Sequence, residues 1–218
     1  MASIPVNPQT DSAYPVTFDV DYPDRTLDRF TSFFRLFTAI PIAIILSLLT
    51  NASIGHDAET KGGWEFAIGG GGIVFLALLL MILFRQKYPR WWFDWELALM
   101  RFSYRVFSYI FLLRDEYPST DEEQAIHLKL TYPDAKLLSR GMPLVKWFLA
   151  IPHYVILFFL YIAAVVCWVI VWFAILFSGR YPRSLFDFIV GIMRWELRVG
   201  AYAFLLLTDK YPPFSLAA

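Results

Sequence analysis

The sequence predicts an all-α integral membrane protein. The expected plan is a pseudo-twofold tandem repeat of a membrane helical hairpin plus an amphipathic, aromatic-rich helix, with short β-strands at the cytoplasmic face. Three observations carry this expectation. First, the 218-residue chain says nearly the same thing twice. YPD at Tyr22–Asp24, FRLFTAIP ending at Pro41, YPRWWFDW from Tyr88 and RDEYP at Tyr117–Pro118 form one series. YPD at Tyr132–Asp134, VKWFLAIP ending at Pro152, YPRSLFDF from Tyr181 and TDKYP at Tyr211–Pro212 form the other. The offset is 110–111 residues at the front and 93–94 at the back, and a long repeat built on apolar segments suits a pseudo-symmetric membrane protein. Second, 58% of the residues are hydrophobic and only 17% charged, against roughly 25% charged in soluble domains. Third, Tyr88, Trp91, Trp92, Trp95, Trp147, Tyr181 and Trp195 fit an aromatic belt at headgroup depth.

In order along the chain, residues 1–13 read as an N-terminal extension, 14–118 as the first copy, 119–125 as a linker and 126–218 as the second copy. The N-terminus lacks a basic stretch leading into an apolar core, so it does not read as a cleaved signal peptide. YPVTFDV alternates Val16, Phe18 and Val20, and AIHLKLTYP alternates Ile126, Leu128 and Leu130. Both read as strands, expected to pair as a cytoplasmic ribbon that needs the amphipathic helices beneath it.

Phe33–Leu49 and Ile68–Phe84 are each near the lower length limit for crossing a bilayer, with a polar loop containing His56 between them. In the second copy, Met142–Phe177 is interrupted only by Lys146 and His153. Thirty-six residues as one helix would measure about 54 Å, well beyond a hydrocarbon core of about 30 Å. Two solutions remain: a tight hairpin reversing near Phe159–Ala163, or an interfacial helix up to Ile151 that turns at Pro152 into one long helix. The hairpin is favoured, because the first copy carries its extra residues where the second would reverse, although no turn residue sits at Tyr161–Ile162.

The third segment of each copy is amphipathic. Asp94, Arg101 and Arg105 in the first, and Asp187, Arg194 and Arg198 in the second, fall on one helical stripe. The preceding prolines suit the first helical position and the aspartates suit the positive end of the helix dipole. Such a helix either lies in the interface or crosses with its arginines paired inside the bundle; the interfacial placement is favoured. The Thr50–Gly63 loop holds only Lys61 of the 19 Lys and Arg residues. The positive-inside rule therefore puts both termini and the arginine-rich helix starts on the cytoplasmic side, in a multi-pass arrangement.

Chemical candidates are few. The spacing of His56, His127 and His153 does not resemble a metal cluster. Gly69–Gly72 lacks the Lys-Ser/Thr that completes a phosphate loop, and the single Cys167 lies inside an apolar run. No nucleophilic constellation stands out, so no catalytic, cofactor or metal residue is assigned. Arg101, Arg105, Arg194, Arg198 and His153 remain as lipid or partner contacts, with ion pairing of the arginines to Asp94 or Asp187 as the structural alternative.

The run from KWFLAIPHY through GRYPRSLFDF to RWELRVGAYAFLLLTDKYPPFSL closely resembles the bacterial DUF4389 membrane family, a domain of unknown function. The resemblance covers about Tyr132–Leu216, with Tyr14–Pro118 as a more divergent copy. In that copy Gln86 stands for Gly179, and LLLTDKYP becomes FLLRDEYP with one residue fewer. The resemblance implies membrane location and repeat architecture and supplies no enzymatic residues. The expected function is a non-catalytic membrane scaffold or accessory subunit of a larger membrane complex, with a small transporter or channel as the alternative. Membrane lipids, other membrane subunits or a second copy of the chain are the expected partners; zero net charge suggests no nucleic acid.

Overall fold

The computed structural model describes residues 14–23, 25–50, 76–120 and 122–217. The N-terminal extension, most of the polar loop with His56, the start of the second apolar segment and the four-glycine run lie outside the described residues. Among the described residues the order is β1 (Val16–Val20), α1 (Arg29–Thr50), α2 (Leu76–Arg85), α3 (Arg90–Ile110), β2 (Ile126–Leu130), α4 (Met142–Leu149), α5 (Ile151–Ser178) and α6 (Arg183–Ala203). The described residues are mostly helical, with only these two short strands among them. α1 and α5 are long and apolar enough to cross a membrane by length and composition.

The expected reversal at Phe159–Ala163 is corrected: α5 is one unbroken helix of 28 residues. Nothing between Phe159 and Ala163 offers a left-handed or turn-forming residue, so the run continues to Gly179. There φ of +71° closes the helix and the Gly179 N–H donates to the Ile175 carbonyl at 2.7 Å. The break falls earlier, at Ala150, between α4 and α5. Pro152 causes it: it has no N–H for the Phe148 carbonyl, and its ring crowds that carbonyl. The expected alternative, a short helix up to Ile151 turning at Pro152 into a long one, describes the observed chain to within two residues. Pro89 and Pro182 also fall one position before expectation, as extended N-cap residues of α3 and α6.

β1 and β2 pair antiparallel, with Phe18 opposite Leu128 and Val16 opposite Leu130. Val16, Phe18, Val20 and Leu128 are buried, whereas Thr17, Asp19, His127 and Lys129 point outward. β1 runs along α6: the Tyr14 hydroxyl donates to the Arg198 carbonyl (3.1 Å), Arg194 reaches Phe18, and the Tyr22 ring meets Phe186 at 5.0 Å. On its other side α6 runs antiparallel to α5. Trp195 meets His153, Val199 packs with Leu157, and Met193 lines a cavity with Ala164. α1 and α3 pack together through Ile42, Phe102 and Val106. The result is three layers: the ribbon, then α3 and α6, then α1 with α5. α6 is the most enclosed helix, while α5 buries only the stripe through His153, Leu157, Ala164, Val171 and Ile175.

Corresponding motif residues make corresponding contacts. The Tyr22 hydroxyl donates to the Tyr181 carbonyl, and the Tyr132 hydroxyl to the Tyr88 carbonyl. Arg183 lies 4.6 Å over the Tyr22 ring and Arg90 4.7 Å over Tyr132. Each YPD tyrosine thus docks on the YPR segment of the other series. Gln86 matches Gly179 in left-handed conformation, and Leu112 matches Leu206, at φ of 63° and 53°.

Candidate functional site

The four stripe arginines converge on the layer between the ribbon and the helices, and each is held by backbone. Arg101 Nε donates to the Leu128 carbonyl at 3.2 Å, and Arg194 Nε to the Phe18 carbonyl at 2.8 Å. One turn later, Arg105 Nη1 donates to the Ser119 carbonyl at 2.8 Å and Arg198 Nη2 to the Ser215 carbonyl. Arg105 and Arg198 are 8% and 7% exposed, so their charge is held away from the surface by carbonyl dipoles. Arg194 also reaches Asp19 at 2.6 Å.

The aspartates are placed otherwise than expected. Asp94 pairs with Arg90 at 3.6 Å and Asp187 with Arg183 at 3.2 Å, four residues earlier in each helix. Both pairs are exposed. The spacing from Asp94 to Arg101 puts them on one stripe but two turns apart, about 10 Å of rise, too far for contact.

His153 is fully enclosed. The Trp195 indole N–H donates to its Nδ1 at 2.9 Å, and the Phe214 ring stacks on it with centroids 4.0 Å apart. The indole proton fixes Nδ1 as the acceptor, so the neutral ring carries its proton on Nε2. Nε2 is buried without a hydrogen-bond partner among the described residues.

The structure adds two buried ion pairs that the sequence reading missed. Arg35, 1% exposed, pairs with Asp115, also donates to the Arg114 carbonyl at 2.7 Å, and lies 4.3 Å over the Tyr109 ring. Lys146, fully buried, pairs with Asp209 at 2.7 Å, donates to the Thr208 carbonyl at 2.8 Å, and lies 5.2 Å over the Tyr202 ring. The signal was present. Each cation stands six residues before the proline of FRLFTAIP or VKWFLAIP, and each aspartate two before the tyrosine of RDEYP or TDKYP. Burial alone would raise the Asp209 carboxyl, but hydrogen bonds from Lys146 and Ser139 and the Lys146 charge outweigh it and hold it below the usual carboxylate range. Burial lowers the Lys146 ammonium, against the opposing pull of Asp209.

Two carboxyls sit in less compensated places. Burial pushes Glu96 up to about 7, against hydrogen bonds from Tyr88 and Trp92. Glu196 is likewise raised by burial. It borders a cavity of about 290 Å³ between α3, α5 and α6, with Tyr104, Tyr161 and Met193 among its walls. Among the described residues no group of three His, Cys, Asp or Glu side chains is arranged to hold a metal ion.

Comparison with known families matches residues 142–215 to DUF4389, a domain of unknown function. The resemblance read from GRYPR through TDKYPPFSL is thereby borne out over α4, α5, α6 and the segment that follows. No curated protein and no solved structure matches the chain.

Proposed function

We propose that this chain is a non-catalytic membrane scaffold, an accessory subunit of a larger membrane complex, built from two copies of one unit about a pseudo-twofold axis. One observation carries the scaffold reading: Arg101, Arg105, Arg194 and Arg198 each donate to a backbone carbonyl from another part of the chain and so tie the frame together. The two most buried of them, Arg105 and Arg198, hold their charge inside the protein. The matched ion pairs, the exchanged tyrosines and the paired left-handed residues support the duplication. Large apolar side chains stand uncovered along α1 and α5, among them Phe37, Leu48, Phe159 and Phe177. An apolar surface of this extent calls for lipid or neighbouring helices. A bacterial inner membrane with the ribbon and both termini on the cytoplasmic side is the setting proposed.

Extraction from the native membrane in a mild polymer, followed by cryo-electron microscopy, tests the reading. The expected result is a reproducible larger assembly with this chain packed against defined subunits. A monodisperse lone subunit overturns it. A small transporter is the second reading, favoured by the Glu196 cavity; a monomer or homodimer with a continuous polar path through that cavity would put transport first.

A further inference from the structure

The layers bear on how the chain sits in its membrane. α5 has 28 residues, about 42 Å of helix against a hydrocarbon core of about 30 Å. α6 runs beside it from the Gly179 turn back to the Trp195–His153 contact. β1 runs beside α6 from Tyr14 at Arg198 to Tyr22 at Phe186. All three layers therefore extend along one direction. If α5 stood upright across a bilayer, the ribbon would stand upright beside it at the same depth. Asp19, His127 and Lys129 would then face hydrocarbon, together with the edges of a ribbon that has two strands among the described residues, where Arg194 and Arg101 cap the Phe18 and Leu128 carbonyls but no further strand pairs the edge. Exposed sheet edges do not survive in lipid, because hydrocarbon offers nothing to pair an unsatisfied N–H or C=O.

Laid flat, the same molecule has no such conflict. The ribbon's polar face meets water and the arginine-bearing helices come to headgroup depth. The uncovered apolar faces of α1 and α5 lie in hydrocarbon beneath them. A helix is about 10 Å across, and one leaflet contributes about half of the 30 Å core, so one helical layer fits a single leaflet. Trp91, Trp95 and Trp147 are exposed on α3 and α4, where indoles favour the interface.

We propose that α1 and α5 lie in the plane of one leaflet and do not cross the bilayer, with that leaflet's lipid covering their exposed faces. This inference goes beyond the scaffold reading and stands or falls separately from it: an accessory subunit can embed either way.

The test labels the two ends of the long apolar stretch. In a Cys167→Ser background, Gly141→Cys precedes α4 and Arg180→Cys follows α5. Both positions are exposed, and a Cβ at Gly141 meets nothing within 4 Å. Full-length protein in sealed right-side-out and inverted membrane vesicles is treated with a membrane-impermeant maleimide, with detergent-opened vesicles as the reference. Both cysteines are expected to react in the same vesicle orientation, at least tenfold above the other. Reaction of the two in opposite orientations, or of either in neither, overturns the proposal.

Discussion

Lys146 and Asp209 show how a buried ion pair can be costly to form and costlier still to break. An ammonium with no exposure is stabilised here by a carboxylate, a carbonyl and a tyrosine face. Removing one partner strands the other, at a cost of about 3 kcal/mol for a buried pair. Asp209→Leu is therefore expected to lower stability by about that amount in detergent unfolding. Lys146→Met combined with Asp209→Leu should recover most of it, because two apolar side chains leave no stranded charge. Equal losses in the single and double variants would deny the coupling. Glu96 poses the opposite case. Its carboxyl titrates near 7 in the fold against a usual value of 4.5, so the native state holds its proton more tightly than the unfolded chain. The carboxylate consequently destabilises the fold progressively as pH rises between those values. Glu96→Gln should stabilise by about 2 kcal/mol at pH 8, after allowance for partial solvent screening, and make little difference at pH 4. Thermal unfolding at the two pH values measures it, and an equal shift at both would contradict the assignment.

Among the elements, those whose pattern is local were legible in the sequence. The alternation in VTFDV and IHLKL named both strands, and their pairing followed from matching places in the two series. The Pro-led, arginine-bearing segments became two helices of 21 residues each. What misled was an argument from the extra residues of the first series to a reversal in the second. A helix needs a reason to stop, and between Phe159 and Ala163 the sequence supplies none. The stripe arginines were found for the right spacing, but their partners were not. Side-chain partners on the same helix are visible in sequence, whereas the carbonyls of Leu128, Ser119, Phe18 and Ser215 come from elsewhere in the chain. The buried ion pairs escaped for a related reason: each joins residues 63 or 80 apart in sequence, Lys146 to Asp209 and Arg35 to Asp115.

At the scale of the molecule, the exchanged contacts make neither series complete by itself. Residues 122–218 contain β2 and α6, but the strand lying on α6 is β1, and the tyrosine on Tyr181 is Tyr22. Residues 1–120 have the reciprocal lack, because β2 and Tyr132 serve α3 and Tyr88. A chain of residues 122–218 expressed alone is expected to be unstable in the membrane, and co-expression with residues 1–120 should restore it. Protease resistance and co-purification of the two fragments measure this. A stable, monomeric 122–218 fragment would show that the exchange is dispensable.

The exchanged tyrosines also constrain how such a protein can change over generations. Under the proposed duplication, a substitution in one YPD is felt by the opposite YPR, so the halves cannot drift apart where they clasp. The apolar stretches are under no such mutual obligation. The interval from Pro41 to Tyr88 is 47 residues and that from Pro152 to Tyr181 is 29. On that proposal, ancestry would be preserved at the clasps and erased between them, leaving its record in a handful of Tyr-Pro pairs.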